Sequence, residues 1–247
     1  MPIEVYIISI IFLGSLIYST FGFGDALFSM PFLTLIIGIK TATPLMTMNG
    51  TTLALVLFIK HRNDIQWRAA LKLLLASVCG IPFGIYFLKY GNENIIKIIL
   101  GLIITSVSVY NLYIKKDAIT QIIPSFSVYF FGFIAGILGG AFNTGGPAVA
   151  IYGTLSGWTQ LQFVSTLQGY FLPNDVFILI GQLSAGLLNK TVVYYYLICL
   201  PFLLLATLIG NKIRKMIPTT KFNRYLFGIL MCVGLVFLLR ALLQLQA

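Results

Sequence analysis

The sequence predicts an all-α polytopic membrane protein built as an inverted repeat of two five-segment halves. Each half holds a broken or re-entrant helix pair, and about 8–10 transmembrane segments result. Three observations carry this reading. The chain is 59% hydrophobic and only 9% charged, with mean hydropathy +0.97, where a soluble domain has about 25% charged residues. Nearly every stretch between polar loops is long enough to cross a hydrocarbon core of about 30 Å. Each half also contains one Gly/Pro-broken hydrophobic segment, Gly22-Phe-Gly-Asp-Ala-Leu-Phe-Ser-Met-Pro31 in the first and Gly139-Gly-Ala-Phe-Asn-Thr-Gly-Gly-Pro147 in the second.

Taken in order, the apolar segments of the first half fall near 4–21, 25–39, 42–60, 67–88 and 94–114, and those of the second near 124–140, 145–156, 159–185, 190–211 and 221–244. Residues 1–21 hold Glu4 and no Lys or Arg, so they read as a retained first helix and not as a signal peptide, which needs a positive start. The segments at 25–39 and 145–156 are short and follow Gly-rich turns. Each spans at a tilt or forms half of a re-entrant hairpin. The last segments of the two halves align, Gly101 with Gly228 and Lys97 with Arg224. The expected division is a first transmembrane repeat at 1–116, a cytoplasmic linker at 117–123 and a second, inverted repeat at 124–247.

The sixteen basic and six acidic residues give a net charge of +10. The basic residues cluster between hydrophobic runs, which is the positive-inside bias and not a nucleic-acid footprint. Lys60, Arg62, Arg68 and Lys72 lie in one loop, Lys115 and Lys116 in a second, and Lys212, Arg214, Lys215, Lys221 and Arg224 in a third. Placing all three in the cytoplasm leaves Lys40, Lys89, Lys190 and Arg240 on the other side, with Lys97 near the start of the fifth segment. Helix counting then starts the first half outside and the second inside, so the halves are inverted and both termini lie outside. Trp67, Trp158 and the run Tyr194-Tyr-Tyr196 suit aromatic belts at the interfaces.

The three cysteines, Cys79, Cys199 and Cys232, sit inside apolar runs without metal-ligand spacing. They read as packing residues. One histidine, His61 in a basic loop, makes a His-based metal site unexpected. No metal and no cofactor is therefore expected. There is no His cluster, no Ser-His arrangement and no carboxylate pair at helical spacing, so nothing supplies general acid–base chemistry and an enzyme is not the reading.

Two acids lie at membrane depth, Asp25 in the first break and Asp175 in Pro173-Asn-Asp175. Ionisable groups there are rare and mark pathways or partners. Both are coupling-ion candidates, for protons or sodium; Asp25 is equally an N-cap of the 25–39 segment or a partner for a basic residue. No Lys or Arg sits in the middle of an apolar segment. An anion would therefore be held by backbone N–H groups at helix N-termini, with glycine allowing close approach. That makes Gly22, Gly24, Gly139, Gly140, Gly145 and Gly146 binding candidates, with Pro31 and Pro147 as helix-break prolines tolerated near a helix start. Asn143 and Thr144 in the second break, Asn49 and Thr51 in the third segment and Gln168 in its counterpart can donate to an oxyanion. Interhelical hydrogen bonding is the alternative for each.

The two glycine-rich breaks, the two-half layout, the basic loop after the third segment and the small-residue run Gly80-Ile-Pro-Phe-Gly84 resemble the sulfite exporter TauE/SafE family over nearly the whole chain. The resemblance implies secondary transport of sulfite, thiosulfate, sulfoacetate or a related organosulfonate across the bacterial cytoplasmic membrane. It also carries the binding role onto the glycines of both breaks. The chain departs from the family pattern at Asp25, where a small residue is common, and at Asn143-Thr144, which interrupts the second glycine run. The resulting expectation is an alternating-access exporter of a small anion in the lipid bilayer. An anion channel or a membrane subunit of a larger complex is the alternative.

Overall fold

The computed structural model describes residues 2–113, 124 and 126–216, together with Met231, Gly234, Leu235 and Leu238. The described elements are helices: α1 (Ile3–Phe21), α2 (Asp25–Ile37), α3 (Ile39–His61), α4 (Trp67–Tyr90), α5 (Glu93–Tyr113), α6 (Ser127–Phe142), α7 (Gly146–Leu155), α8 (Gln160–Ser184) and α9 (Lys190–Met216), with a 3-10 turn at Arg62–Asp64. They follow the nine apolar segments expected up to residue 211 within a few residues. The tenth expected segment, 221–244, lies outside the described residues except for the four named above. So do the expected linker 117–123, Lys115 and Lys116, and all but Met231 of the second-half stretch that aligns with residues 95–104.

Among the described residues, five helices are long and apolar enough to cross a membrane: Ile3–Phe21, Ile39–Lys60, Trp67–Tyr90, Leu161–Ser184 and Lys190–Ile213. The helices beside the two breaks are shorter. At 1.5 Å per residue, the 13 residues of α2 and the 10 of α7 cover only about 20 and 15 Å, well short of the bilayer core. Both breaks are hairpins. α1 and α2 pack on one another, with Ser29 donating to the Ile10 carbonyl at 3.4 Å. α6 and α7 do the same, and a Cβ on Gly145 would stand 2.6 Å from the Ala135 carbonyl oxygen.

Polar ends of the long helices are closed by side chains. Asn92 accepts from the Asn94 N–H at 2.9 Å ahead of α5, and Asn189 from the Val192 N–H at 3.0 Å ahead of α9. Thr159 and Gln162 form a reciprocal capping box on α8, satisfying two otherwise orphaned donors. Pro147 sits in the first turn of α7, where its missing N–H costs little. Pro31 corrects its expected place: it lies inside α2, well beyond the break, and Gly22 and Gly24 alone make the turn there.

The packing pattern has an internal correspondence. α1 lies along α9 as α6 lies along α4, α3 packs on α9 as α8 packs on α4, and α3 and α8 pack on each other. Exchanging α1 with α6, α2 with α7, α3 with α8 and α4 with α9 maps these contacts onto themselves. Two apolar cores flank the breaks. One is built on Met30, Leu33, Leu45, Ile81 and Phe142, the other on Leu53, Leu57, Leu73, Leu167 and Tyr170.

The α4–α6 contact is made by glycine. Gly80 and Gly84 on α4, and Gly132, Gly136 and Gly140 on α6, recur every fourth residue and so share one face of each helix. A Cβ on Gly136 would strike the Ser77 carbonyl, one on Gly84 the Ile137 carbonyl, and one on Gly140 the Ile81 carbonyl at 2.6 Å. In a bilayer, where lipid is as apolar as leucine, such close backbone approach is a principal source of helix association. Gly136→Ala is expected to cost about 1–3 kcal/mol through overpacking, read as a lower melting temperature in detergent. Leu75→Ala, at an exposed position on α4, is expected to melt within about 0.5 kcal/mol of the parent.

Candidate functional site

The two breaks meet. A cavity is lined by Phe23, Gly24, Asp25, Ala26 and Leu27 from the first break and by Asn143, Thr144, Gly145, Gly146 and Pro147 from the second. Tyr18 on α1, Gly50 on α3, Gly139 on α6, and Phe171, Asn174 and Asp175 on α8 complete its wall.

Each break is shaped by left-handed backbone. α1 ends at Gly22 (φ 86°), whose N–H returns to the Tyr18 carbonyl at 2.6 Å, and Gly24 (φ 102°) precedes α2. α6 ends at Asn143 (φ 55°), bonded back to the Gly139 carbonyl at 2.8 Å, and the Thr144 N–H reaches the Leu138 carbonyl at 3.2 Å. Asparagine tolerates this conformation better than most side-chain-bearing residues. The N-termini of α2 and α7 thus open on the same space. Their caps are Gly24 and Gly145, which have no side chain to offer the first N–H groups; at α2 the Asp25 carboxyl meets the Asp25 and Ala26 N–H groups, whereas at α7 the partial positive charge is open to the cavity. Gly24 occupies the cap position and Asp25 is the first residue inside α2, where its carboxyl meets the N–H groups of the first turn.

Electrostatics and polar placement distinguish this cavity from a packing defect. Asp25 and Asp175 are each 5% exposed, and among the described residues no Lys, Arg or His lines the space with them. Two like charges in one buried space repel and are tolerated only when something offsets them. The walls are therefore compatible with an anion only when the carboxyl charge is offset. Asp25 Oδ2 and Thr144 Oγ1 are buried without a protein hydrogen-bond partner. Buried polar atoms of this kind ask for a ligand or water. Gly50 keeps one corner open: a Cβ there would stand 3.2 Å from Asn143 Nδ2 and 3.3 Å from Asp175 Oδ2. A Cβ on Gly146 would meet Phe23 and Phe171, both at 3.4 Å, so these rings form the opposite wall.

The structure brings Gly24, Asp25, Gly139, Asn143, Thr144, Gly145, Gly146, Pro147 and Asp175 to the cavity and places the other candidates around it. Gln168 braces the first break. It accepts from the Tyr18 hydroxyl at 2.8 Å and donates to the Gly22 carbonyl at 2.9 Å. Gly140 packs on α4, and Thr51 bonds back to the Thr47 carbonyl at 2.7 Å. Asn49, buried beside Gly50, has neither amide atom paired within the protein. Sequence reasoning missed Gly50, Tyr18, Phe23, Phe171 and Asn174. Asn174 accepts from Ser77 at 2.6 Å, and Ser77 in turn accepts from Tyr170 at 2.9 Å, tying α8 to α4 behind the cavity. The signal for Gly50 was its place in Met48-Asn-Gly-Thr-Thr52; the aromatic residues carried none that separated them from core. The tyrosine run is likewise more than an interfacial anchor, because the Tyr196 hydroxyl pairs with Thr52 at 2.8 Å.

The brace gives a direct expectation. Gln168→Leu unpairs the buried Tyr18 hydroxyl and Gly22 carbonyl, each costing about 1–3 kcal/mol. The variant should melt clearly below the parent with no anion present, whereas Tyr18→Phe, which keeps the bond to Gly22, should lose less. Unchanged melting of Gln168→Leu would show that the brace does not hold the break.

No curated protein and no solved structure matches the chain. The model of the family described as sulfite exporter TauE/SafE matches residues 7–237, which include both breaks and the described cavity. With its long apolar helices, the chain is a multi-pass membrane protein of the transporter class and belongs to the sulfite exporter TauE/SafE family.

Proposed function

We propose that the chain is a secondary transporter, operating as an exporter, of a small sulfur oxyanion or organosulfonate, which it binds in the cavity between the two breaks. The observation that carries this is the convergence of two glycine-capped helix N-termini, from opposite halves of the sequence, on one space with the unpaired hydroxyl of Thr144. Such termini are anion sites without basic side chains, and broken helices at a repeat interface are the recurrent site architecture of secondary transporters. In this reading the N–H groups of the Gly145–Gly146 turn and the Thr144 hydroxyl donate to the oxyanion, Asn143 adds its amide, and Phe23 and Phe171 exclude water.

The self-mapping contact pattern supports a two-fold relation between residues 1–116 and 124–247, with 117–123 as the cytoplasmic linker. The charge bias supports the inverted form of that relation, with both termini outside a bacterial inner membrane. Alternating access then follows from rocking one half against the other around the fixed cavity. The membrane potential favours exit of an anion by about 2.3 kcal/mol per charge per 100 mV. The chemistry is binding and release, with no covalent step.

Purified protein should be stabilised selectively by sulfite, thiosulfate or sulfoacetate, by about 2.7 kcal/mol at a concentration one hundred times the dissociation constant. Thr144→Val should weaken binding about tenfold, the worth of one hydrogen bond to a charged group. Gly146→Leu, which drives a side chain between Phe23 and Phe171, should abolish the shift and flux in proteoliposomes. Retained stabilisation in Gly146→Leu would move the site elsewhere, and conductance far above transporter turnover would make the protein a channel.

A further inference from the structure

The two acids of the cavity are unexplained by anion binding alone. Asp25 comes from the start of α2 and Asp175 from the middle of α8, and their carboxyl groups interact electrostatically across the space they line. Of the other titratable groups facing them, Tyr18 on α1 lines the cavity and Tyr170 on α8 lies near enough to interact with Asp175. The residues contributed to the lining by α3, α6 and α7 carry no charge. Asp25 Oδ2 has no protein partner, and the neutral Thr144 Oγ1, on a residue 2% exposed, is likewise unpaired in the same lining. The cavity therefore brings carboxylate oxygens and a hydroxyl oxygen together with two helix N-termini. Buried like charges are tolerated only when a proton or a cation offsets them.

We propose that Asp25 and Asp175 together hold one monovalent cation, a proton or a sodium ion, and that this cation and the transported anion occupy the cavity at the same time. The inference rests on the cavity being the anion site. Oxygen ligands suit a hard cation, and both carboxyls are equally able to take up a proton. Each ligand offsets the charge that would otherwise exclude the other, so by linkage each raises the affinity of the other by the same factor. A doubly charged anion carried with one cation still moves one net negative charge. The membrane potential then still favours exit, while the cation gradient sets how far export proceeds.

The test uses full-length protein in detergent and thiosulfate, whose double charge is fixed across the neutral range, so that proton uptake reports on the protein. Calorimetric titration in two buffers of different ionisation enthalpy, with choline or with sodium as the cation, counts protons per anion bound. A proton site is expected to take up about one proton per thiosulfate, and affinity should fall as much as tenfold per pH unit in the alkaline range. A sodium site is expected to raise affinity up to about tenfold for each tenfold rise in sodium, with little proton uptake. Asp175→Asn and Asp25→Asn should change the affinity and remove that dependence. Should either variant fail to fold, the proton and sodium counts on the unmodified protein decide the matter. Thiosulfate binding with no proton uptake and no sodium dependence would overturn the cation site and leave the anion site standing. Sodium- or pH-dependent melting that Asp175→Asn removes, with no binding of thiosulfate, would overturn co-occupancy by removing the anion site beneath it.

Discussion

A backbone that breaks inside a bilayer must have its N–H and C=O groups satisfied by the protein itself or by what the protein encloses. Much of the described structure follows from meeting that demand twice. At the first break, Gly22 and Gly24 supply the left-handed turns, and Gln168 reaches across from α8 to take up the Gly22 carbonyl. At the second, Asn143 turns the chain and the Thr144 N–H folds back on Leu138. The surrounding helices hold the two turns together: α3 and α8 pack against one another, and α4 and α6 approach closely enough through glycine that the α6–α7 hairpin is fixed on α4. Groups left over after this satisfaction include Thr144, Asp25 and the glycine-capped ends of α2 and α7 at the cavity, and the side chains of Ser19, Thr34, Asn49 and Gln182 outside its lining.

The charge arrangement is unusual for the anion site proposed above and instructive for that reason. Attraction comes from helix ends, about half a unit of charge each, while the full charges in the lining are negative. A site of this kind is weak for an anion when both carboxylates are bare and strong when they are offset. Its affinity is therefore adjustable by a second ligand, which a permanently cationic arginine site would not allow. For a transporter, which must release its cargo as readily as it binds it, that adjustability is a functional advantage.

Much of this was legible in the sequence because the responsible physics is local. Runs of apolar residues form the long helices, and the glycine clusters at Gly22–Gly24 and Gly139–Gly146 mark where helices end and begin again. Asp25 and Asp175 were visible because charge at membrane depth is rare. What could not be read is what depends on which helix faces which. Gln168 looks like a ligand in the sequence, and only its span to Tyr18 and Gly22 shows a brace. Gly140 and Gly139 are adjacent, yet one packs on α4 and the other borders the cavity, because successive helical positions point about 100° apart. Gly50 matters for the space it leaves between Asn143 and Asp175, which no pattern announces. Pro31 resembled a break because proline is usually a breaker, but the missing N–H is tolerated within α2.

The most direct measurement is an experimental structure with selenite, a heavier oxyanion of the same shape class as sulfite, located by its anomalous scattering. The proposed site requires a selenium peak between the starts of α2 and α7, within hydrogen-bonding reach of the Gly146 N–H and the Thr144 hydroxyl. A specific peak elsewhere, with that space filled only by water, would contradict the idea that the paired breaks form the binding surface.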